Sequence, residues 1–84
     1  QVDDVIAWQH GELVFSDAHL EDIFTRLEHK YPYTFVYSFH SLNNNTYSFR
    51  FPKNVTLEEI MLIISQVVGD IHYVIKDNKC YITN

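Results

Sequence analysis

The sequence writes one short pattern twice. Phe15-Ser16-Asp17-Ala18-His19 leads into Leu20-Glu21-Asp22-Ile23, and an apolar segment, Phe35-Val36-Tyr37, follows. Phe51-Pro52-Lys53-Asn54-Val55-Thr56 leads into Leu57-Glu58-Glu59-Ile60, and Tyr73-Val74-Ile75 follows. Each copy reads as an aromatic strand end, a short loop, a helix start and a further strand. A strand-helix-strand unit of this size has an apolar face that it cannot bury alone, so two of them are expected to pack together. The repeat implies a small α+β fold. Nothing in it resembles a catalytic apparatus, which turns the functional reading toward binding.

Periodicity fills in the elements. Leu20, Ile23, Phe24 and Leu27, with Tyr31 behind them, make the apolar stripe of an amphipathic helix over residues 19–30. Glu21 and Asp22 in its first turn and His29 and Lys30 in its last favour the helix dipole, and Pro32 forbids continuation. Thr56-Leu57-Glu58-Glu59 is a capping box; the helix it opens runs to about Val68, where Gly69 is a natural stop. Strands are expected at 5–8, 13–15, 33–38, 46–51, 71–75 and 79–82. The first two form a hairpin closed at Gly11, and the last two are joined by the two-residue turn Asp77-Asn78. The order is ββαββαββ, with both helices on one face of a small mixed sheet. Residues 1–84 make a single domain, residues 1–4 being a flexible lead-in.

Charge and composition exclude several classes. The formal net charge is −5, from six Lys and Arg against eleven Asp and Glu. A nucleic-acid binder needs a basic stripe, because phosphate contacts carry most of its affinity; here the cations are scattered. The longest apolar stretch, around Ile60 to Val68, is too short to span a bilayer, and no signal peptide is present. Gln1 in place of Met suggests a piece of a longer protein. The single cysteine, Cys80, cannot make an internal disulfide.

The candidates for chemistry have simpler explanations. His10, His19, His29, His40 and His72 fall in a turn, at a helix start, at a helix end, in a loop and on a strand. None forms an i, i+4 pair, and no second cysteine completes a zinc site. Cys80, on the last strand, has no glycine-rich elbow or helix start beside it and reads as a small, half-buried residue. The pairs Glu21-Asp22 and Glu58-Glu59 are helix-start devices before they are acid-base catalysts. Two glycines cannot build a phosphate loop. A metal-dependent or thiol enzyme therefore rests on the histidines and Cys80 alone; no enzyme activity, cofactor or metal is expected.

Two features exceed the needs of a core. Leu57, Ile60, Met61, Ile64 and Val67 or Val68 suffice to bury the second helix, yet Leu62 and Ile63 add an apolar flank where the first helix has Thr25 and Arg26. Either this helix is buried more deeply or a partner covers the flank. The outward sheet face is expected to carry Val36, Arg50 and Val74 among small β-prone residues, a surface that is either solvated or stacked on another domain. Leu62, Ile63, Val36, Arg50 and Val74 are the candidate partner-binding residues. An exposed edge strand is a further place for a partner.

At this point the residues resemble a family. Trp8-x-x-Gly11-x-Leu13-x-Phe15, Leu20-Glu21-x-Ile23 with Leu27-Glu28 and Tyr31, Leu57-Glu58-Glu59-Ile60, Tyr73-x-Ile75 and Tyr81-Ile82 are similar to the C-terminal domain of FecR-type anti-sigma factors of Bacteroidota. The likeness runs from about Ala7 to Thr83. His19 departs from it, standing where a small residue or proline is more usual. The resemblance implies a periplasmic domain of a single-pass inner-membrane protein, anchored by a transmembrane helix outside this segment. It implies contact with the periplasmic signalling domain of an outer-membrane TonB-dependent transducer, while another part of the parent protein acts on an extracytoplasmic-function sigma factor. A related pattern, the short N-terminal domain of secretins and TonB-dependent transducers, shares the two strand-helix-strand halves. It provides the alternative, that the chain is the transducer's own signalling domain; the Trp8 to Gly11 opening favours the anti-sigma side.

Overall fold

The computed structural model describes residues 6–9, 12–38 and 42–83, with residues 6–9 described in backbone only. Elements follow in the order β1 (Ile6–Gln9), β2 (Glu12–His19), α1 (Leu20–Lys30), β3 (Thr34–Val36), β4 (Thr46–Phe51), α2 (Leu57–Val68), β5 (His72–Lys76) and β6 (Lys79–Thr83). The fold is α+β. Its strands divide into two small sheets where one was expected. The first has the order β1-β2-β4, antiparallel throughout. The second has the order β3-β6-β5, with β3 parallel and β5 antiparallel to β6. Each helix thus connects a strand of the first sheet, β2 or β4, to a strand of the second, β3 or β5. The proposed hairpin turn at Gly11 and the lead-in at residues 1–4 lie outside the described residues.

The segment expected as a loop between Phe15 and α1 is strand. Phe15 pairs with Phe49 and Ala18 with Tyr47, so β2 carries one extra residue, a β-bulge. Asp17 adopts φ 51° there, and its N–H donates to Ser48 Oγ at 3.0 Å. An extra residue reverses the alternation of side chains. Leu13 and Phe15 point inward before the bulge and Ala18 after it, so the strand delivers a buried residue directly to Leu20 at the helix start. Composition hid this, because Ser16 and Asp17 are turn formers by habit.

The helix signals act as local chemistry requires. Thr56 Oγ1 accepts from the Glu59 N–H at 3.2 Å, and the Glu59 carboxylate accepts from the Thr56 N–H at 2.9 Å. Gly69 ends α2 at φ 86°, its N–H bonded to Ser65 O. His19 occupies the N-cap of α1 and makes no side-chain cap bond. In the β5–β6 turn Asp77 and Asn78 have φ of 53° and 63°, the double left-handed geometry that matches the twist of a two-residue hairpin.

One core receives side chains from both sheets and both helices. Leu20, Ile23, Phe24 and Leu27 enter it from α1, and Leu57, Ile60, Met61 and Ile64 from α2. Along β4 the rings of Tyr47, Phe49 and Phe51 stack in series, with centroids 6.2 and 5.5 Å apart. Phe24 of α1 stacks on Phe35 of β3 at 5.0 Å, which fixes that helix to the second sheet. The Tyr31 hydroxyl donates to Val55 O at 2.7 Å, tying the end of α1 to the approach to α2. Among the described residues no polar or charged side chain is buried.

Candidate functional site

The described titratable residues do not converge. Among the described residues no three His, Cys, Asp or Glu side chains stand close enough to share a metal ion. His19, His29 and His72 lie on β2, α1 and β5, all exposed; His10 and His40 lie outside the described residues. The acidic pairs Glu21-Asp22 and Glu58-Glu59 are exposed in the first turns of their helices. A depression of about 260 Å³ at the start of α1 is lined by His19, Leu20, Glu21 and Leu42 to Asn44. Its known polar contact, Asn43 Nδ2 donating to the Tyr47 hydroxyl at 3.0 Å, is internal to the fold.

Cys80 is fully buried, where half-burial was expected. The reason is topological. β6 is the last element in sequence but the middle strand of its sheet, flanked by β3 and β5. Burial pushes the thiol up to about 11, so near neutral pH it carries its proton and is a poor nucleophile.

Among the described residues the large exposed apolar side chains fall on two surfaces. On α2, Leu62, Ile63 and Val67 face outward while Ile60, Met61 and Ile64 are buried. Of the two valines offered for the core, Val68 is half-buried and Val67 belongs to the flank. The other surface is the outer face of the β3-β6-β5 sheet. There Val36 pairs across to Tyr81 and Tyr81 to Val74, and all three are exposed, Val74 by 60%. They form an apolar row across the whole sheet.

Arg50 does not join this row. It lies on β4 in the other sheet, where its guanidinium contacts the Glu12 carboxylate at 2.6 Å. The structure therefore separates Arg50 from Val36 and Val74, which had been placed on one face. Sequence reasoning missed Tyr81 at the centre of the row. The alternation of Cys80 and Ile82 inward already places Tyr81 outward.

The family model described as FecR, C-terminal, matches residues 12–82. The chain belongs to the FecR C-terminal family. The match covers every described element except β1 and the last residue of β6, so the two apolar surfaces of this FecR C-terminal domain both lie within the family's own fold. Membership makes it a signalling domain of the anti-sigma-factor type. No match is found among curated proteins or among solved structures. No helix among the described residues is long and apolar enough to cross a membrane.

Proposed function

We propose that this FecR C-terminal domain is the periplasmic interaction domain of an inner-membrane anti-sigma factor. It binds the signalling domain of an outer-membrane TonB-dependent transducer, and the parent protein passes the signal to an extracytoplasmic-function sigma factor held by another of its parts. The domain binds protein and catalyses no reaction. In this reading the two strand-helix-strand segments are copies of one module, each spanning from the first sheet to the second.

The observation that carries the proposal is the display of apolar side chains on regular elements within the family match. Leu62, Ile63 and Val67 on α2, and Val36, Tyr81 and Val74 on the second sheet, are exposed although the core is closed without them. Contiguous apolar surface on a small domain marks a place where another surface docks. Leu62, Ile63, Val36 and Val74 remain partner-binding candidates, joined by Tyr81; Arg50 stands apart from them, paired with Glu12 within the β1-β2-β4 sheet.

Isothermal titration of the 84-residue chain with the cognate transducer signalling domain tests the proposal. Saturable binding is the expected result. The absence of heat and of co-elution, with both partners folded, would sink it.

A further inference from the structure

We infer that the contact is made by the outer face of the β3-β6-β5 sheet, and that the partner surface it accepts is acidic with an apolar centre. The partner is the transducer domain of the relay proposed above, and the inference stands on that relay. The apolar row Val36–Tyr81–Val74 occupies the middle of this face. Beside it, Lys76 of β5 and Lys79 of β6 are direct cross-strand partners. On the other side His72 faces Thr83. No strand position sharing this face is Asp or Glu, although the chain has eleven acids to six Lys and Arg.

The lysine pair is the informative part. Like charges placed directly opposite on neighbouring strands destabilise a sheet. Among the described residues neither lysine is in an ion pair. Lysine on an edge strand is a common guard against unwanted strand pairing, and this accounts for Lys76 on β5. It does not account for Lys79, which is on the central strand. Two facing lysines beside an apolar row become favourable when carboxylates of a partner meet them, and such complementarity steers encounter and fixes register.

Charge also separates this occupant from the others. A second copy stacking the same face on itself would bring the lysines no carboxylate, because no strand position on that face is Asp or Glu. An anionic lipid surface would attract two lysines but repel a chain of net charge −5. The α2 flank lacks the charge signature. Its exposed apolar residues Leu62, Ile63 and Val67 are interrupted by the neutral Ser65 and Gln66, and its first turn carries Glu58 and Glu59.

The test is titration of the cognate transducer signalling domain into three variants of the chain, each checked for an unchanged far-ultraviolet spectrum and melting temperature. Lys76→Glu with Lys79→Glu is expected to weaken binding at least about tenfold and to abolish its sensitivity to salt between about 0.05 M and 0.3 M. Val74→Asp, at a position exposed enough to tolerate it, is expected to weaken binding similarly. Lys53→Glu, an exposed lysine between β4 and α2, is expected to leave affinity within about twofold. Binding by the wild-type chain together with unchanged affinity in the lysine and Val74 variants overturns the inference and leaves the relay standing. Absence of wild-type binding overturns the relay and the inference together. Cosedimentation of the wild-type chain with phosphatidylglycerol vesicles, lost in the lysine variant, would make the face a membrane contact and also overturn the inference.

Discussion

The carboxylate of Glu28, in the last turn of α1, accepts a hydrogen bond from the backbone N–H of Phe35 at 2.7 Å. The preceding N–H, that of Thr34, goes the other way, to Asn78 O at 3.0 Å beside β6. Successive amides of a strand point to opposite sides, so Glu28 occupies the open side of β3. Its carboxylate stands where a foreign strand's carbonyl would bond, which closes part of this edge to strand addition. Glu28→Ala should therefore cost about 1–2 kcal/mol in urea unfolding and speed hydrogen exchange at Phe35. Glu28→Gln, which keeps an acceptor, should recover most of the loss. An unchanged exchange rate in Glu28→Ala would show that the bond contributes nothing.

Thr56→Ala removes the acceptor for the Glu59 N–H and breaks one half of the α2 capping box. The expected cost is about 1 kcal/mol, read as a lower denaturation midpoint with unchanged slope. His19→Ser is the converse change at α1, whose N-cap makes no side-chain bond. Serine there should stabilise by about 0.5–1 kcal/mol.

Neighbouring residues of α2 should respond in opposite ways. Ile64 is fully buried and Leu62 is half exposed, at 50%. Ile64→Ala should destabilise by about 2–4 kcal/mol through lost contacts and an unfilled cavity. Leu62→Ala should stay within about 0.5 kcal/mol. Thermal unfolding of both variants measures the difference, and similar losses would place Leu62 in the core.

Alkaline pH should loosen the fold, starting with Cys80. Its thiol is raised from 9.0 to about 11 by burial, so the native state holds this proton more tightly than the unfolded state. The stabilisation is complete below pH 9.0 and is lost as pH rises through about 11. Tyr31 and Tyr37 are raised above 10.0 by burial and by nearby carboxylates, and act with the same sign at higher pH. Urea midpoints should fall between pH 9 and 10 by less in Cys80→Ala than in wild type. Ellman's reagent at neutral pH should label the thiol only after unfolding.

What was legible in the sequence was local. The Thr56–Glu59 box, the Gly69 stop and the Asp77-Asn78 turn each depend on a few consecutive residues, and the structure has each of them. The stripe of α1 and the aromatic alternation of β4 were legible for the same reason. Partition into two sheets depends on which distant strands pair, and alternation is the same in either arrangement. That is why Arg50 was grouped with Val36 and Val74, and why Cys80, on the last strand, was expected to be only half-buried. The bulge at Asp17 escaped because Ser16-Asp17-Ala18 spells a loop until Ser48 is placed opposite it. At the candidate site Leu62, Ile63, Val36 and Val74 are exposed, which for Leu62 and Ile63 decides against the deeper burial that the sequence had left open. Their partition into two surfaces, and the place of Tyr81 between two valines, needed the register of β6.

That register has a kinetic consequence. β3 and β5 do not pair with each other, and both are held by β6. A chain that has formed everything through Lys76 still has two separate strands with open sides and no second sheet. Its aromatic interior stays accessible until residues 79–83 thread between them. Folding on this topology is a late, single closure in place of stepwise growth. A nascent chain would remain a substrate for chaperones and proteases until β6 is available.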